Sequence, residues 1–237
     1  MSRHNFQEGN FRTGVLFFLG FTVCIPFVDA GAKLLIVEGY HPSFVTWGRF
    51  TCSALLIVPF LLMRRANRPM SLKDKIAQIV RALFIVLATF FFFSSLETTR
   101  LADAIGILFT YPLIITILAP IFLGENAGSR RWFAVVVGFI GALLIIRPMS
   151  PDFQIGYLYA LGSSICFATF SLVTRRLSQS FEPITILSIQ VFVGAIVMTP
   201  FLTSSWKTPS TFALSIFLAI GLISLVAHIM LILAYRS

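Results

Sequence analysis

Long apolar runs alternate along the chain with short breaks that carry charge, proline or polar clusters. The runs fall at about 14–37, 44–63, 76–96, 102–123, 132–147, 155–177, 183–202 and 210–235. Each approaches the roughly 20 residues a helix needs to cross the hydrocarbon core of a bilayer. Lipid offers no water to backbone N–H and C=O groups, so runs of this length are expected to be α-helices. The pattern predicts an all-α, polytopic membrane protein with about eight spans. The first run precedes Ala30-Gly31-Ala32, where a signal peptide would be cleaved, but apolar character continues through Leu34 to Val37. An uncleaved first helix is the expectation.

Composition agrees: of 237 residues, 57% are hydrophobic and 11% charged, which leaves little chain for an extramembrane domain. A net charge of +9 raises nucleic acid as a partner, yet the cations sit in short clusters between apolar runs. With the amino terminus in the cytoplasm, Arg3, Arg12, the group from Arg64 to Arg81, Arg130, Arg131, Arg175, Arg176 and Arg236 all fall inside. Lys33, Arg100, Arg147 and Lys207 fall at the opposite side, and Arg49 lies within the second run. This bias predicts both termini in the cytoplasm, with the bilayer as the partner and nucleic acid excluded. A bacterial inner membrane is the expected location, and a homodimer stays open as an assembly. Cys24, Cys52 and Cys166 lie in apolar segments without ligand spacing, so neither metal nor disulfide is expected. No cofactor motif is found, and the phosphate-binding GxxxxGK[ST] loop of an ATP-driven pump is missing.

An internal repeat is visible. Gly14-Val-Leu-Phe-Phe-Leu-Gly20, followed by Cys24 and Lys33, aligns with Gly156-Tyr-Leu-Tyr-Ala-Leu-Gly162, followed by Cys166 and Arg175, at an offset of 142. After a slip of one residue, Pro42 and Pro59-Phe60-Leu61 align with Pro183 and Pro200-Phe201-Leu202 at 141. Five spans precede the second copy, and five is odd, so the copies are expected to enter the membrane from opposite sides. The predicted organisation is a cytoplasmic segment 1–12, a five-helix repeat 13–148 and a second, incomplete repeat 155–237. Leu231 to Ser237 corresponds to the end of span 3, so roughly 50 residues matching spans 4 and 5 are expected to be missing if repeats have equal length. Inverted repeats place a site near the midplane and allow alternating access by rocking of the halves.

The element Leu101-Ala-Asp-Ala-Ile-Gly-Ile-Leu-Phe-Thr-Tyr-Pro112, running on to Phe122-Leu-Gly-Glu125, Trp132, Gly138 and Gly141, resembles the helix 4 and 5 pattern of EamA-domain proteins. Asp29-Ala-Gly-Ala-Lys33 is similar to an element in the first helix of some bacterial members. These proteins belong to the drug/metabolite transporter superfamily. The resemblance implies ten helices in two inverted five-helix repeats and transport of metabolites by export or uptake, without naming the cargo.

Charges inside apolar runs mark the candidate site. Asp29 and Lys33 lie one turn apart on one face of span 1, and Arg49 sits in span 2 with Thr46 and Ser53 on its stripe. An insertion scale puts each such charge at about 2.5–3.5 kcal/mol at a helix centre, so all three are expected to face one another or water. Two readings stay open. Asp29 and Lys33 form a neutral pair that locks span 1 to span 2 while Arg49 snorkels; or one cation neutralises Asp29 and the other receives a substrate carboxylate. In the second copy Arg49 corresponds to Gln190 and Asp29 to Ser171, so the charges are not duplicated. Gln190, His228 in span 8, and Thr110 and Tyr111 beside Pro112 are further candidates to line the cavity, with helix–helix packing as the alternative for each. Phe90 to Phe93 read as a lipid-facing or packing surface, or else a wall for a planar ligand. The leading function is a secondary carrier of a small polar metabolite, driven by its own gradient or by protons, with Asp29, Lys33, Arg49, Thr46, Tyr111, Gln190 and His228 on its substrate. The alternatives are a membrane enzyme acting on lipid or prenyl substrates, which the dispersed His4, His41 and His228 disfavour, and a non-transporting membrane fragment.

Overall fold

The computed structural model describes residues 11–63, 70–123, 128–146 and 153–237. The cations expected at 3, 64, 65, 68 and 147, with His4 and Glu125, lie outside the described residues. Ten α-helices follow in chain order: α1 (Phe11–Val37), α2 (Pro42–Leu62), α3 (Leu72–Thr98), α4 (Leu101–Leu108), α5 (Tyr111–Leu123), α6 (Ser129–Ile146), α7 (Ile155–Ser178), α8 (Pro183–Met198), α9 (Leu202–Ser205) and α10 (Thr211–Arg236). A 3-10 turn, Thr199–Phe201, joins α8 to α9. Among the described residues, eight helical stretches are long and apolar enough to cross a membrane. They match the eight runs read from the sequence.

Local chemistry sets the ends. Pro42 opens α2, where its missing N–H is no loss, and the ring of His41 accepts from Ser43 N at 3.3 Å. Ser71 and Ser210 accept from the backbone N of Asp74 and Ala213, capping α3 and α10. Gly39, at φ 85°, supplies the left-handed residue of the α1–α2 turn. Sequence reading treated 102–123 as one span, but it divides at Phe109-Thr110, where the Thr110 N–H turns back to Ile107 O in a tighter turn. Pro112 lacks the donor that would continue the helical ladder to Leu108, so the break falls one turn before it.

The helices stand alternately up and down. Two antiparallel pairs make the broadest interfaces, α1 with α10 and α3 with α7, and α2 lies between α10 and α8. Glycines permit the close approach. Gly14 faces Ser237 and Gly31 faces Ile220 across α1–α10, while Gly156 faces Ser95 and Gly162 faces Phe91 across α3–α7. Gly14 and Gly156 are related by the offset of 142, and so are their partners Ser95 and Ser237. The α1 start and the α10 end therefore share one end of the bundle, called here the terminal end. Large apolar side chains such as Leu16, Val23, Phe27 and Leu144 lie exposed along the outside, as a lipid-facing surface requires.

Candidate functional site

Span-breaking residues and buried charges meet between α1, α3, the α4–α5 break, α7 and α10, where they enclose a cavity of about 80 Å³. Its walls are largely apolar, and Phe21, Phe92, Phe93, Phe109, Phe167 and Tyr111 make their aromatic part. Phe92 and Phe93 are 3% and 1% exposed, so this half of the Phe90–Phe93 run faces the cavity and core instead of lipid. Polar groups converge on this apolar frame: Asp29 from α1, Arg49 from α2, Thr89 from α3 and His228 from α10.

Arg49 is 5% exposed and does not snorkel. Its Nε donates to Ser224 Oγ at 2.9 Å and its Nη1 to Thr89 Oγ1 at 2.8 Å, and the guanidinium carbon lies 5.3 Å from the ring centre of Phe50. These neutral partners fix its direction, and among the described residues its remaining N–H groups have no hydrogen-bond partner. Asp29 is 6% exposed, and no hydrogen bond or ion pair joins its carboxylate to another described residue. Asp29 and Arg49 both line the cavity without a direct hydrogen bond between them. His228 is buried, with Nδ1 2.9 Å from Ser224 O. A carbonyl only accepts, so Nδ1 carries the proton, and the unpartnered Nε2 is left as an acceptor. The imidazole stands edge-on to Phe21 and tilted against Phe170.

Four of the residues singled out from sequence, Asp29, Arg49, Tyr111 and His228, are thus brought to one cavity. Three are not. Lys33 reaches away from Asp29 to the C-terminal carbonyls of α3, donating to Leu96 O at 2.6 Å and Thr99 O at 3.1 Å. Its four-carbon stem spans to a helix end whose last carbonyls lack partners, a better site for an ammonium than an intrahelical pair. Thr46 bonds back to Pro42 O at 2.8 Å within α2. Thr110 likewise turns to Ser164 Oγ, at 2.7 Å, joining the α4–α5 break to α7. Gln190 lies toward the terminal end, its Oε1 accepting from Arg81 Nη1 at 3.0 Å.

Arg81 is the residue sequence reading misplaced. It was grouped with loop cations, yet it is fully buried in α3. Its other N–H groups donate to Gln78 Oε1 (3.1 Å), Thr174 Oγ1 (3.4 Å) and Ile186 O (2.7 Å), and its guanidinium carbon lies 5.3 Å from the ring centre of Phe170. No ion pair to an acid is found for it among the described residues. The signal was present: Arg81 is nine residues inside α3, about 14 Å at 1.5 Å per residue, too deep for a loop charge.

Comparison with known proteins identifies the family. The chain is 28% identical over 211 residues to an S-adenosylmethionine uptake transporter of Rickettsia felis, covering 89% of this chain and 71% of that one. It is 25% identical over 203 residues to a riboflavin transporter of Vibrio cholerae, covering 83% and 67%, and 27% identical over 193 residues to a pseudopaline exporter of Pseudomonas aeruginosa, covering 81% and 67%. A solved crystal structure shares the fold at a TM-score of 0.61 and 18% identity, over 92% of this chain and 84% of that one. The profile of the EamA-like transporter family matches residues 12–147 and 154–236. With eight helical stretches of membrane-crossing length among the described residues, and a cavity that holds an acid, a guanidinium and an imidazole, the chain belongs to the EamA-like transporter family.

Proposed function

We propose that the protein carries a small organic metabolite bearing a carboxylate and a ring system through the membrane by alternating access, and that Arg49 receives the carboxylate. The observation that carries this reading is the pairing of Arg49 with neutral hydroxyls alone, inside an aromatic cavity that also holds an unbonded Asp29. A guanidinium with spare N–H groups suits a carboxylate in two-point contact. Asp29 suits a cationic centre of the same molecule, and Phe92 and Phe93 offer faces to a ring. S-adenosylmethionine, the cargo named for the Rickettsia relative, has all three features.

Inverted repeats supply the motion. The matched glycine contacts of α1–α10 and α3–α7, and the two stretches that fit the family profile, support a two-fold relation in the membrane plane. The cavity's 80 Å³ is smaller than the roughly 300–1,000 Å³ of sites for drug-sized ligands. On this reading the halves part to admit cargo. The charge bias supports a terminal end in the cytoplasm, and the bacterial relatives support an inner-membrane location.

Uptake of radiolabelled S-adenosylmethionine into proteoliposomes tests the reading. Truncating one partner of a buried charge pair costs about 2–5 kcal/mol, so Arg49→Gln should raise the half-saturating concentration about 30-fold or more. Decarboxylated S-adenosylmethionine, which lacks the group Arg49 receives, should be handled alike by both proteins. Equal loss of both probes in Arg49→Gln would reject Arg49 as the carboxylate receiver. No uptake of either by the unaltered protein would reject this cargo.

A further inference from the structure

The repeat register puts Gln190 where the first copy has Arg49, so the second copy lacks the guanidinium. The structure restores it from another helix. Arg81 of α3 lies against Gln190, with Nη1 3.0 Å from Oε1. Each half of the membrane thus holds one buried guanidinium near related positions of α2 and α8. Arg49 is seven residues from the start of α2 and Arg81 seventeen from the end of α3, depths of about 10 Å and 26 Å from the same end of the bundle.

Rings connect the cavity to Arg81. His228 lines the cavity, its ring centre lies 6.1 Å from that of Phe170, and the Arg81 guanidinium carbon lies over the Phe170 ring, 5.3 Å from its centre. Around Arg81 every acceptor is neutral, and among the described residues Gln78 Nε2, on a side chain that accepts from Arg81, is buried without a hydrogen-bond partner. Tight packing that served only to join α3 to α7 and α8 would not need a charge, and a neutral side chain avoids the cost of burying one. A carboxylate supplies what the cluster lacks: negative charge, and acceptors for donors such as Gln78 Nε2.

We propose that Arg81 is a second anion-receiving site, which takes the substrate carboxylate when the cavity opens toward the terminal end. The inference rests on the carrier reading above. As Phe170 swings aside, the carboxylate oxygens accept from Arg81 Nη1 and Nη2 and displace Gln190 Oε1 and Ile186 O. Arg49 and Arg81 then serve opposite faces of the membrane for the same substrate group.

The test measures half-saturating S-adenosylmethionine at each face, in right-side-out and inside-out vesicles of the full chain. Arg81→Gln should raise it at least about tenfold at the cytoplasmic face and less than about threefold at the outer face, and Arg49→Gln should do the reverse. Because removal of a buried cation can impair folding, Gln190→Glu is the companion variant. It gives Arg81 a resident carboxylate, and should produce the same cytoplasmic-face loss with the fold retained. Decarboxylated S-adenosylmethionine should lose its preference for Arg81 and show less than about a threefold change at that face. A latch that only holds the cytoplasmic side shut predicts the opposite sign, since its loss would populate the inward-open state and lower the cytoplasmic half-saturating concentration. That sign, equal changes at both faces, or no change in either variant would overturn the second site while leaving the carrier reading intact. Absence of S-adenosylmethionine exchange in the unaltered protein would reject this cargo and, with it, the second site for its carboxylate.

Discussion

Gly221 of α10 sits against the backbone of α2, and an added methyl there has a calculable effect. A Cβ on Gly221 would lie 2.7 Å from Cys52 Cβ and 3.2 Å from Ser53 N, atoms that belong to the helix itself and cannot rotate away. Ordinary carbon contacts are about 3.5–4.0 Å, so α2 and α10 must part by about 1 Å. Overpacking of this kind costs about 1–3 kcal/mol, while replacing a helical Gly by Ala returns about 1 kcal/mol of helix preference. Gly141 of α6 has no atom within 4 Å of its would-be Cβ. Gly141→Ala therefore carries the preference alone, and the two variants should differ by the steric cost, about 1–3 kcal/mol. Unfolding in mixed detergent with rising dodecyl sulfate reads the difference directly. The same 1 Å would stretch the Ser53–Gly221 O and Arg49–Ser224 bonds, each 2.9 Å, so Gly221→Ala should also raise the half-saturating substrate concentration. Equal stability of the two alanine variants would refute the α2–α10 packing and with it the placement of Arg49.

Lys33→Met should lower stability by about 1–3 kcal/mol, because two α3 carbonyls lose a charged donor, with the half-saturating substrate concentration held within about threefold. A large affinity loss at unchanged stability would return Lys33 to the substrate site. Met70→Cys, just before α3, should resist a membrane-impermeant maleimide in intact cells and react after permeabilisation, as the positive charge bias requires. Strong labelling in intact cells would invert the orientation and exchange the faces assigned to Arg49 and Arg81.

Spans were legible in the sequence because lipid imposes one rule on every backbone group, and a run of about 20 apolar residues satisfies it in one way. The α4–α5 break at Phe109-Thr110 was not, although Pro112 pointed to it, because proline inside a membrane helix is compatible with either a bend or a break. Convergence of Asp29 and Arg49 on one cavity followed from the cost of charges in hydrocarbon, an argument about environment that does not depend on side-chain reach. Where reach decided, sequence misled. Lys33 follows Asp29 at the spacing of a helical pair, but its long stem finds the end of α3, which no pattern within α1 could reveal.

Arg81 and Gln190 show the same limit from the other side. Linear comparison of the copies set Arg49 against Gln190 and gave an asymmetric site, since it could only pair residues at matching positions. Space pairs Gln190 with Arg81, a residue whose register partner in α10 carries no charge. A guanidinium needs acceptors on several helices at once, and the acceptors of Arg81 come from α3, α7 and α8. The same holds for Arg49, whose partners Thr89 and Ser224 lie on α3 and α10. Each buried cation is thus held by helices from both proposed repeats, so on the carrier reading proposed above a movement of one repeat against the other would change its hydrogen bonds. A substrate carboxylate that replaces those bonds at one cation while the other keeps its resident partners would favour one arrangement of the halves over the other, which is the differential affinity that a bound ligand needs to shift a two-state equilibrium.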